Sequence, residues 1–363
     1  MTAARRYFTY DGEFPMHLGG SLQKPTVAYE TWGQLDAGRR NAILIFTGLS
    51  PSAHAASSKD DPSPGWWEEI IGPGKPIDTR RYFVVCVNSL GSCFGSTGAA
   101  SVNPATGEIY RLRFPVLSLE DVARAGRETL RHLGVERARA IVGPSMGGMT
   151  ALAFEMLFPG TSDSIVLMSS GTRSLPFSIA LRSLQREMIR RDPGWQGGNY
   201  PLDAQPLTGM RMARKLGMIT YRSAEEWRLR FGRERVGSEY QSRDPFGPNF
   251  EIESYIEHHA VKFVGQFDAN CYLYLSRASD LFDIADHGAS VSAGLAKVQA
   301  KRALIIGVKT DFLFPIHQQQ ELAQGLSGRG REVEYHELDS LQGHDSFLVD
   351  MDRYRPILAK FFA

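Results

Sequence analysis

The stretch Gly143-Pro144-Ser145-Met146-Gly147 sets a serine hydroxyl between two glycines. An apolar run at 140–142 precedes it, and a segment with helical spacing follows as far as Pro159. This pattern predicts a strand, a sharp strained turn where glycine fits beside the serine, and a helix whose first N–H groups point at the serine oxygen. Ser145 is therefore the candidate nucleophile. The alternative is a tight strand-to-helix turn in which Ser145 only caps the helix.

Two late residues could activate this serine. A serine hydroxyl becomes nucleophilic when a base removes its proton, and the base needs a carboxylate to hold it. Asp311 follows the apolar strand that ends at Val308, and His344 follows the strand that ends near Leu338. Both stand where the carboxyl ends of late strands are expected, in the chain order serine, acid, histidine. The remaining histidines precede Ser145 or do not stand just beyond a core strand, and the later ones are interpreted as surface or capping residues: His17, His54, His132, His258, His259, His287, His317 and His336.

Alternating strands and helices must position these residues. Buried strands are predicted at 42–48, 81–87, 164–170 and 302–308, and an amphipathic helix begins near Ser118. This order predicts an α/β protein with a mostly parallel central sheet and helices on both faces. Residues from about 175 to 295 have helical patterning and no clear buried strand, which predicts a helical lid over the serine. The predicted domains are a core of residues 1–174 and 296–363 and a lid of residues 175–295.

The turn after the strand at 42–48 is a candidate oxyanion site. A hydrolase-type fold takes one oxyanion donor from such a turn and the other from the residue after the nucleophile. The backbone N–H groups of Leu49 and Met146 are the candidates. An ordinary strand-to-helix turn at Leu49 is the alternative.

Composition argues against several classes of function. The 363 residues are 42% hydrophobic and 22% charged, which is typical of a soluble globular protein. With a net charge of +1, nothing suggests nucleic acid or a membrane surface as a partner. The three cysteines are too few for a disulfide framework and lack Cys-x-x-Cys spacing, so no metal site is predicted. The N-terminal segment lacks the apolar core of a signal peptide, and a cytoplasmic location is expected.

Five motifs together resemble the homoserine and serine O-acyltransferases of α/β-hydrolase fold. They are Gly65-Trp66-Trp67, the stretches 71–75, 88–98 and 143–149, and Gly343-His344-Asp345. The resemblance runs from about Val27 to Phe361 and implies a triad of Ser145, Asp311 and His344, a helical lid and a homodimer through the lid helices. It also implies transfer of an acyl group from acyl-CoA to an amino-acid hydroxyl, in cysteine or methionine biosynthesis, without a tightly bound cofactor.

The resemblance further implies how the acceptor binds. A zwitterionic amino acid needs a cation for its carboxylate and an anion for its ammonium group. Arg214, within Ala213-Arg214-Lys215-Leu216-Gly217, would take the first role and Asp345 the second. The alternatives are a solvated lid arginine and a helix-capping aspartate.

The acceptor and the acyl group are both suggested by residues near the motifs. The stretches 48–55 and 176–186 are similar to the serine-specific branch of the family. Arg182 stands where homoserine acetyltransferases usually carry Asn, and its guanidinium could pair with the free carboxylate of a succinyl group. The expected reaction is O-succinylation of L-serine from succinyl-CoA, with acetyl-CoA as the next candidate donor. The alternatives are acylation of L-homoserine, a serine esterase or thioesterase, and a structural role for Arg182.

Overall fold

The computed structural model of the protein describes residues 3–237, 244–328 and 330–363. Its strands are β1 Arg6–Thr9, β2 Glu13–Pro15, β3 Ser21–Gln23, β4 Thr26–Trp32, β5 Ala42–Phe46, β6 Ile71–Gly72, β7 Ile77–Asp78, β8 Phe83–Val87, β9 Ala140–Pro144, β10 Ser164–Met168, β11 Arg302–Val308 and β12 Glu332–Leu338. Its helices are α1 Leu119–His132, α2 Met146–Leu157, α3 Pro176–Arg191, α4 Leu207–Tyr221, α5 Ala224–Phe231, α6 Glu251–Phe263, α7 Ala269–Leu281, α8 Val291–Leu295, α9 Ile316–Leu326, α10 Ser346–Val349 and α11 Met351–Phe361.

An 8-stranded sheet, in the order β1-β4-β8-β5-β9-β10-β11-β12, forms the centre of the molecule. The pairs β1–β4 and β4–β8 are antiparallel, and the other neighbours pair parallel. Strands β5, β8, β9 and β10 are buried along their whole length. Because parallel strands covered on both faces are apolar throughout, they are visible as continuous apolar runs in the sequence. The predicted α/β-hydrolase fold with a mostly parallel sheet is confirmed.

Side chains of the central strand β5 alternate between two cores on opposite faces of the sheet. Leu44 and Phe46 pack in a cluster with residues of α1 and α2, whereas Ile43 and Ile45 pack in a second cluster with residues of α11. Helices therefore cover both faces. The carboxyl ends of the parallel strands meet at one edge of the sheet, which is where ligands bind in open α/β sheets.

Helices α3 to α8 lie between β10 and β11 in the chain. Helix α3 packs against α4 and α7, and α4 packs against α6. The contact of α3 with α4 is close, because a Cβ atom on Gly209 would lie 2.5 Å from the carbonyl oxygen of Met188. This helical segment coincides with the predicted lid, and the division into a core domain and a lid domain stays a prediction. Across the described ranges, no helix has both the length and the apolar character that spanning a bilayer requires.

Candidate active site

Ser145 occupies a strained turn between β9 and α2. Its backbone has φ 55° and ψ −126°, and its N–H donates to the carbonyl oxygen of Met168 at 2.8 Å. The glycines on either side are required by close backbone contacts: a Cβ atom would lie 2.0 Å from Gly147 O at Gly143, and 2.3 Å from Phe46 O at Gly147. The Ser145 side chain makes no capping hydrogen bond to the helix, so the alternative of a simple helix cap is wrong.

The structure brings Ser145, His344 and Asp311 into one hydrogen-bonded line. Nε2 of His344 lies 2.7 Å from Oγ of Ser145, and Nδ1 lies 2.8 Å from Oδ2 of Asp311. The other oxygen of Asp311 accepts backbone N–H bonds from Leu313 at 2.9 Å and Phe314 at 3.0 Å. With Nδ1 donating to Asp311, Nε2 is free to accept the serine proton. Ser145 and His344 are 199 residues apart in the chain, and Asp311 and His344 are 33 residues apart. Together the three side chains have the geometry of a nucleophile, a base and an orienting acid.

Aromatic side chains enclose the His344 imidazole. Phe314 stacks on it with ring centres 5.5 Å apart, and Phe347 approaches edge-on at 5.7 Å. Burial by itself lowers the pKa of His344, but the charge of Asp311 and its hydrogen bond raise it, and the net pKa lies above the ordinary 6.5. The carboxylate therefore stabilises the imidazolium that forms when Ser145 loses its proton.

The predicted oxyanion donors lie beside this serine. Met146 is the first residue of α2, and Leu49 lies in the turn after β5. Neither N–H donates to a backbone carbonyl in the described parts of the chain. The contact of Gly147 with Phe46 holds the end of β5 against the start of α2, and both Leu49 and Met146 border the cavity in front of Ser145. Their role as oxyanion donors stays a prediction.

A cavity of about 160 Å³ opens in front of the serine. It is bordered on one side by core turns and on the other by α3, α4 and α7. The residues around it are Gly48, Leu49, Ser50, Pro51, Ser145, Met146, Leu181, Arg182, Gln185, Arg214, Thr220, Tyr221, Tyr272, Ser279, Leu313, Phe314, His344, Asp345, Phe347 and Leu348. Seven of the eight site residues predicted from the sequence border this one cavity, and the eighth, Asp311, is hydrogen-bonded to His344.

Arg182 borders the cavity from α3 and is held by an acidic partner on α7. Its Nε lies 2.6 Å from Oδ1 of Asp280, and one terminal nitrogen donates to Ser174 Oγ at 2.5 Å. Arg186, one turn further along α3, lies 2.7 Å from the other oxygen of Asp280. The pairing of Asp280 with Arg182 was not predicted from the sequence. The spacing of Arg182 and Arg186, which places two cations on one helix face, indicates an acidic partner but does not identify it.

Arg214 is half-buried rather than solvated, which makes the alternative of a solvated lid arginine wrong. Its guanidinium lies 4.5 Å from the ring centre of Phe263 and 5.9 Å from that of Tyr221. Within the described residues its buried Nε makes no hydrogen bond. An unused buried donor costs free energy until an acceptor arrives, so Arg214 is well suited to receive a carboxylate.

Asp345 borders the same cavity, but it already has a partner that the sequence analysis missed. Its Oδ2 lies 3.3 Å from Nε of Arg222, at the end of α4. Burial raises the pKa of Asp345 above its ordinary value, although Arg222, His344 and Arg214 act in the opposite direction. Its side chain makes no capping hydrogen bond to α10, which argues against the helix-cap alternative.

Comparison with known proteins gives consistent results. Residues 41–350 match the model of a family described as the alpha/beta hydrolase fold. A serine O-succinyltransferase of Litchfieldella anticariensis is 56% identical over 364 residues, covering 100% of this chain and 99% of the relative. The crystal structure of a homoserine O-acetyltransferase from Bacillus anthracis superposes with a TM-score of 0.90 at 29% identity, covering 99% of this chain and 97% of that one. The crystal structure of esterase E22 superposes with a TM-score of 0.88 at 29% identity, covering 100% of both chains.

Proposed function

The chain belongs to the α/β-hydrolase family, and we propose that it is an acyltransferase that moves a succinyl group from succinyl-CoA to the hydroxyl of L-serine. One observation carries the proposal for this chain. The cavity that Ser145 and His344 border is also bordered by Arg182, whose guanidinium Asp280 holds in place. A fixed cation beside an acyl-accepting serine matches a donor whose acyl group ends in a carboxylate. The serine O-succinyltransferase relative, which is 56% identical, supports the same reaction.

In the proposed first half-reaction, Oγ of Ser145 attacks the thioester carbonyl while Nε2 of His344 takes the serine proton. The oxyanion is stabilised by the N–H groups of Leu49 and Met146. The C–S bond then breaks, and His344 returns the proton to the leaving thiolate, which departs as CoA. In the second half-reaction, His344 removes the proton of the substrate hydroxyl, which attacks the succinyl ester. The ester bond to Oγ of Ser145 breaks, and His344 returns the proton to that oxygen.

The acceptor would bind between two charged side chains. We assign the carboxylate of L-serine to Arg214, because the Nε of this residue is buried without a partner in the described structure. We assign the ammonium group to Asp345, which would then share its charge with Arg222. This pair of opposite charges matches a zwitterionic amino acid as the substrate and disfavours a simple ester.

The donor would extend into a second cavity of about 360 Å³, which shares Arg214, Tyr221 and Asp345 with the catalytic one. Its walls contain two cations and three aromatic rings, together with other side chains. These residues are Arg222 and Lys262, then Trp227, Tyr255 and Phe263, and finally Met218, His259 and Gln266. Cations and aromatic faces suit the phosphates and the adenine ring of CoA. We propose that acyl-CoA enters through this cavity as a co-substrate and that no cofactor stays bound. We also propose the homodimer through the lid helices and the cytoplasmic location that the sequence analysis predicts.

The deciding experiment combines L-serine or L-homoserine with succinyl-CoA or acetyl-CoA and measures the release of the CoA thiol together with the acylated amino acid. We expect the highest kcat/KM for L-serine with succinyl-CoA. Preference for L-homoserine or for acetyl-CoA would overturn the corresponding half of the proposal.

Hydrolysis is the second candidate, favoured by the likeness to esterase E22. The same assay separates the two candidates. Steady-state CoA release that depends on L-serine indicates transfer, whereas an equal rate without any amino acid would establish a thioesterase.

The raised pKa of His344 predicts a pH dependence. We expect kcat/KM for succinyl-CoA to rise with pH through an apparent pKa above 6.5, because His344 accepts a proton only when neutral. In Asp311→Asn the lowering effect of burial is opposed only by the charge of Asp345, so this limb should move to lower pH while the rate falls roughly 10⁴-fold. Rate profiles of the two enzymes measure the shift. Coincident limbs would contradict the role assigned to Asp311.

Arg214→Gln should raise the KM for L-serine. Loss of a charged hydrogen bond costs about 1.5–3 kcal/mol, which is roughly 10- to 150-fold. The matched control is Arg211→Gln, because Arg211 lies on the same helix and pairs with Glu257 outside the catalytic cavity. A rapid burst of CoA in the absence of L-serine reports the first half-reaction separately. Equal serine KM values in the two variants would show that Arg214 does not bind the acceptor.

A further inference from the structure

Away from the catalytic cavity, three side chains from distant parts of the chain converge on one point of the surface. They are His17, Glu120 and His287. We propose that they form a binding site for a divalent transition-metal ion, for which Zn²⁺ is the probe. The sequence predicts no metal site by its cysteine spacing, and His287 is interpreted there as a surface or capping residue.

The distances suit a metal ion with little rearrangement. Nε2 of His287 lies 2.9 Å from Oε1 of Glu120, and Nε2 of His17 lies 3.7 Å from the same oxygen. The three ligand atoms all lie within 4.8 Å of one another. Ligands bound tetrahedrally to Zn²⁺ at 2.0–2.1 Å are about 3.3 Å apart, so a small closing movement would complete the site. Two imidazole nitrogens and one carboxylate oxygen are ligands that Zn²⁺ prefers, and they leave a fourth position for water.

The surrounding structure holds these ligands in place. Glu120 is buried in the first turn of α1, and His17 lies in the turn between β2 and β3. The backbone N–H of His17 donates at 2.7 Å to Asp121, which also closes the capping box of α1. The carbonyl oxygen of His287 accepts a hydrogen bond from the ammonium group of Lys297.

A bound ion would connect three separate segments. The ion would link the β2–β3 turn to α1, a helix that packs on the central sheet. It would also link α1 to the 3-10 helix Ile284–His287, which follows α7. The open side of the site faces solvent, since the side chain of His17 is 33% exposed. The ion would therefore stabilise the attachment of the helical segment to the core and would take no part in acyl transfer.

The test is zinc binding to the chelator-treated full-length protein, measured by titration calorimetry. We expect one equivalent of Zn²⁺ to bind, and we expect His17→Ala and His287→Ala each to weaken binding by at least tenfold. His17→Ala is the decisive variant, because the residue is exposed and its loss leaves the fold intact. The matched control is His132→Ala, since His132 lies at the other end of α1, stacked on Phe8. It should bind Zn²⁺ as the unaltered protein does.

Two further measurements test whether the zinc ion binds at this site rather than elsewhere. Zn²⁺ should raise the Tm of the unaltered protein and not that of His17→Ala, because an ion that binds only the folded state stabilises it. The absorption spectrum of the Co²⁺ complex should lack a thiolate charge-transfer band. The presence of such a band would instead indicate binding at Cys93 or Cys271. No bound zinc, equal affinity of His17→Ala, or a thiolate band would each overturn the proposal.

Discussion

Ser145→Ala is expected to lower kcat for succinyl transfer by roughly 10⁴- to 10⁶-fold. The substitution removes only Oγ, the atom that lies 2.7 Å from Nε2 of His344. Alanine keeps the Cβ atom, so the strained backbone at φ 55° is no less favourable than before. The fold should therefore be unchanged, and the loss should lie in the first half-reaction. Intact-mass analysis after mixing with succinyl-CoA measures this directly, because the unaltered enzyme should gain the mass of one succinyl group.

The matched control for this variant is Ser170→Ala. Ser170 lies beside the same turn and donates to the backbone carbonyl of Ser145 at 2.9 Å, whereas the hydrogen bonds of the His344 ring in the described structure go to Asp311 and Ser145. Its loss should cost only the free energy of one hydrogen bond, about 1 kcal/mol, and should leave acylation in place. Succinylation of Ser145→Ala at the normal rate would refute the nucleophile assignment. Unequal thermal unfolding of Ser145→Ala and the unaltered protein would indicate a folding defect instead.

Arg182→Asn is expected to produce the largest change in donor preference. Removing one partner of a desolvated charge pair costs about 2 kcal/mol or more, so kcat/KM for succinyl-CoA should fall by roughly 30-fold or more. Acetyl-CoA has no terminal carboxylate, and its kcat/KM should change much less. The ratio of the two kcat/KM values is therefore the quantity to measure.

Arg186→Asn is the control that separates a loss of donor specificity from a general weakening of the α3–α7 contact. Arg186 pairs with the same Asp280 as Arg182 does, but it does not border the catalytic cavity. Both substitutions leave Asp280 with one cation, so any general weakening of the α3–α7 contact should appear in both variants. Only Arg182→Asn should alter the donor ratio. Equal losses on both donors would remove the basis for assigning succinyl to Arg182.

Much of the core and the triad could be predicted from the sequence because the signals are local. The apolar runs of β5, β8, β9 and β10 mark strands that are buried on both faces. Ser145 is marked by its two glycines, and each glycine has a close backbone contact that excludes a Cβ atom. Asp311 and His344 could be found from their places after β11 and β12, because the topology brings those strand ends to one edge.

The remaining features depend on pairs that no local pattern links. The Arg182–Asp280 pair spans 98 residues, and the Arg222–Asp345 pair spans 123. Both join a helix of the segment between β10 and β11 to a partner whose position depends on how that segment packs. The convergence of His17, Glu120 and His287 has the same origin, since the β2–β3 turn, helix α1 and the 3-10 helix Ile284–His287 supply one side chain each. Spacing alone does not reveal such contacts.

The tight packing of Gly147 against the end of β5 has a consequence for protein engineering. The nucleophile and its proposed oxyanion donors are positioned by main-chain atoms that touch, with no room for an added methyl group. The Arg182–Asp280 pair, in contrast, is supplied by side chains of α3 and α7. The range of acyl donors could therefore be redesigned by substitutions on these two helices, while the nucleophile and the proposed oxyanion donors are left unaltered.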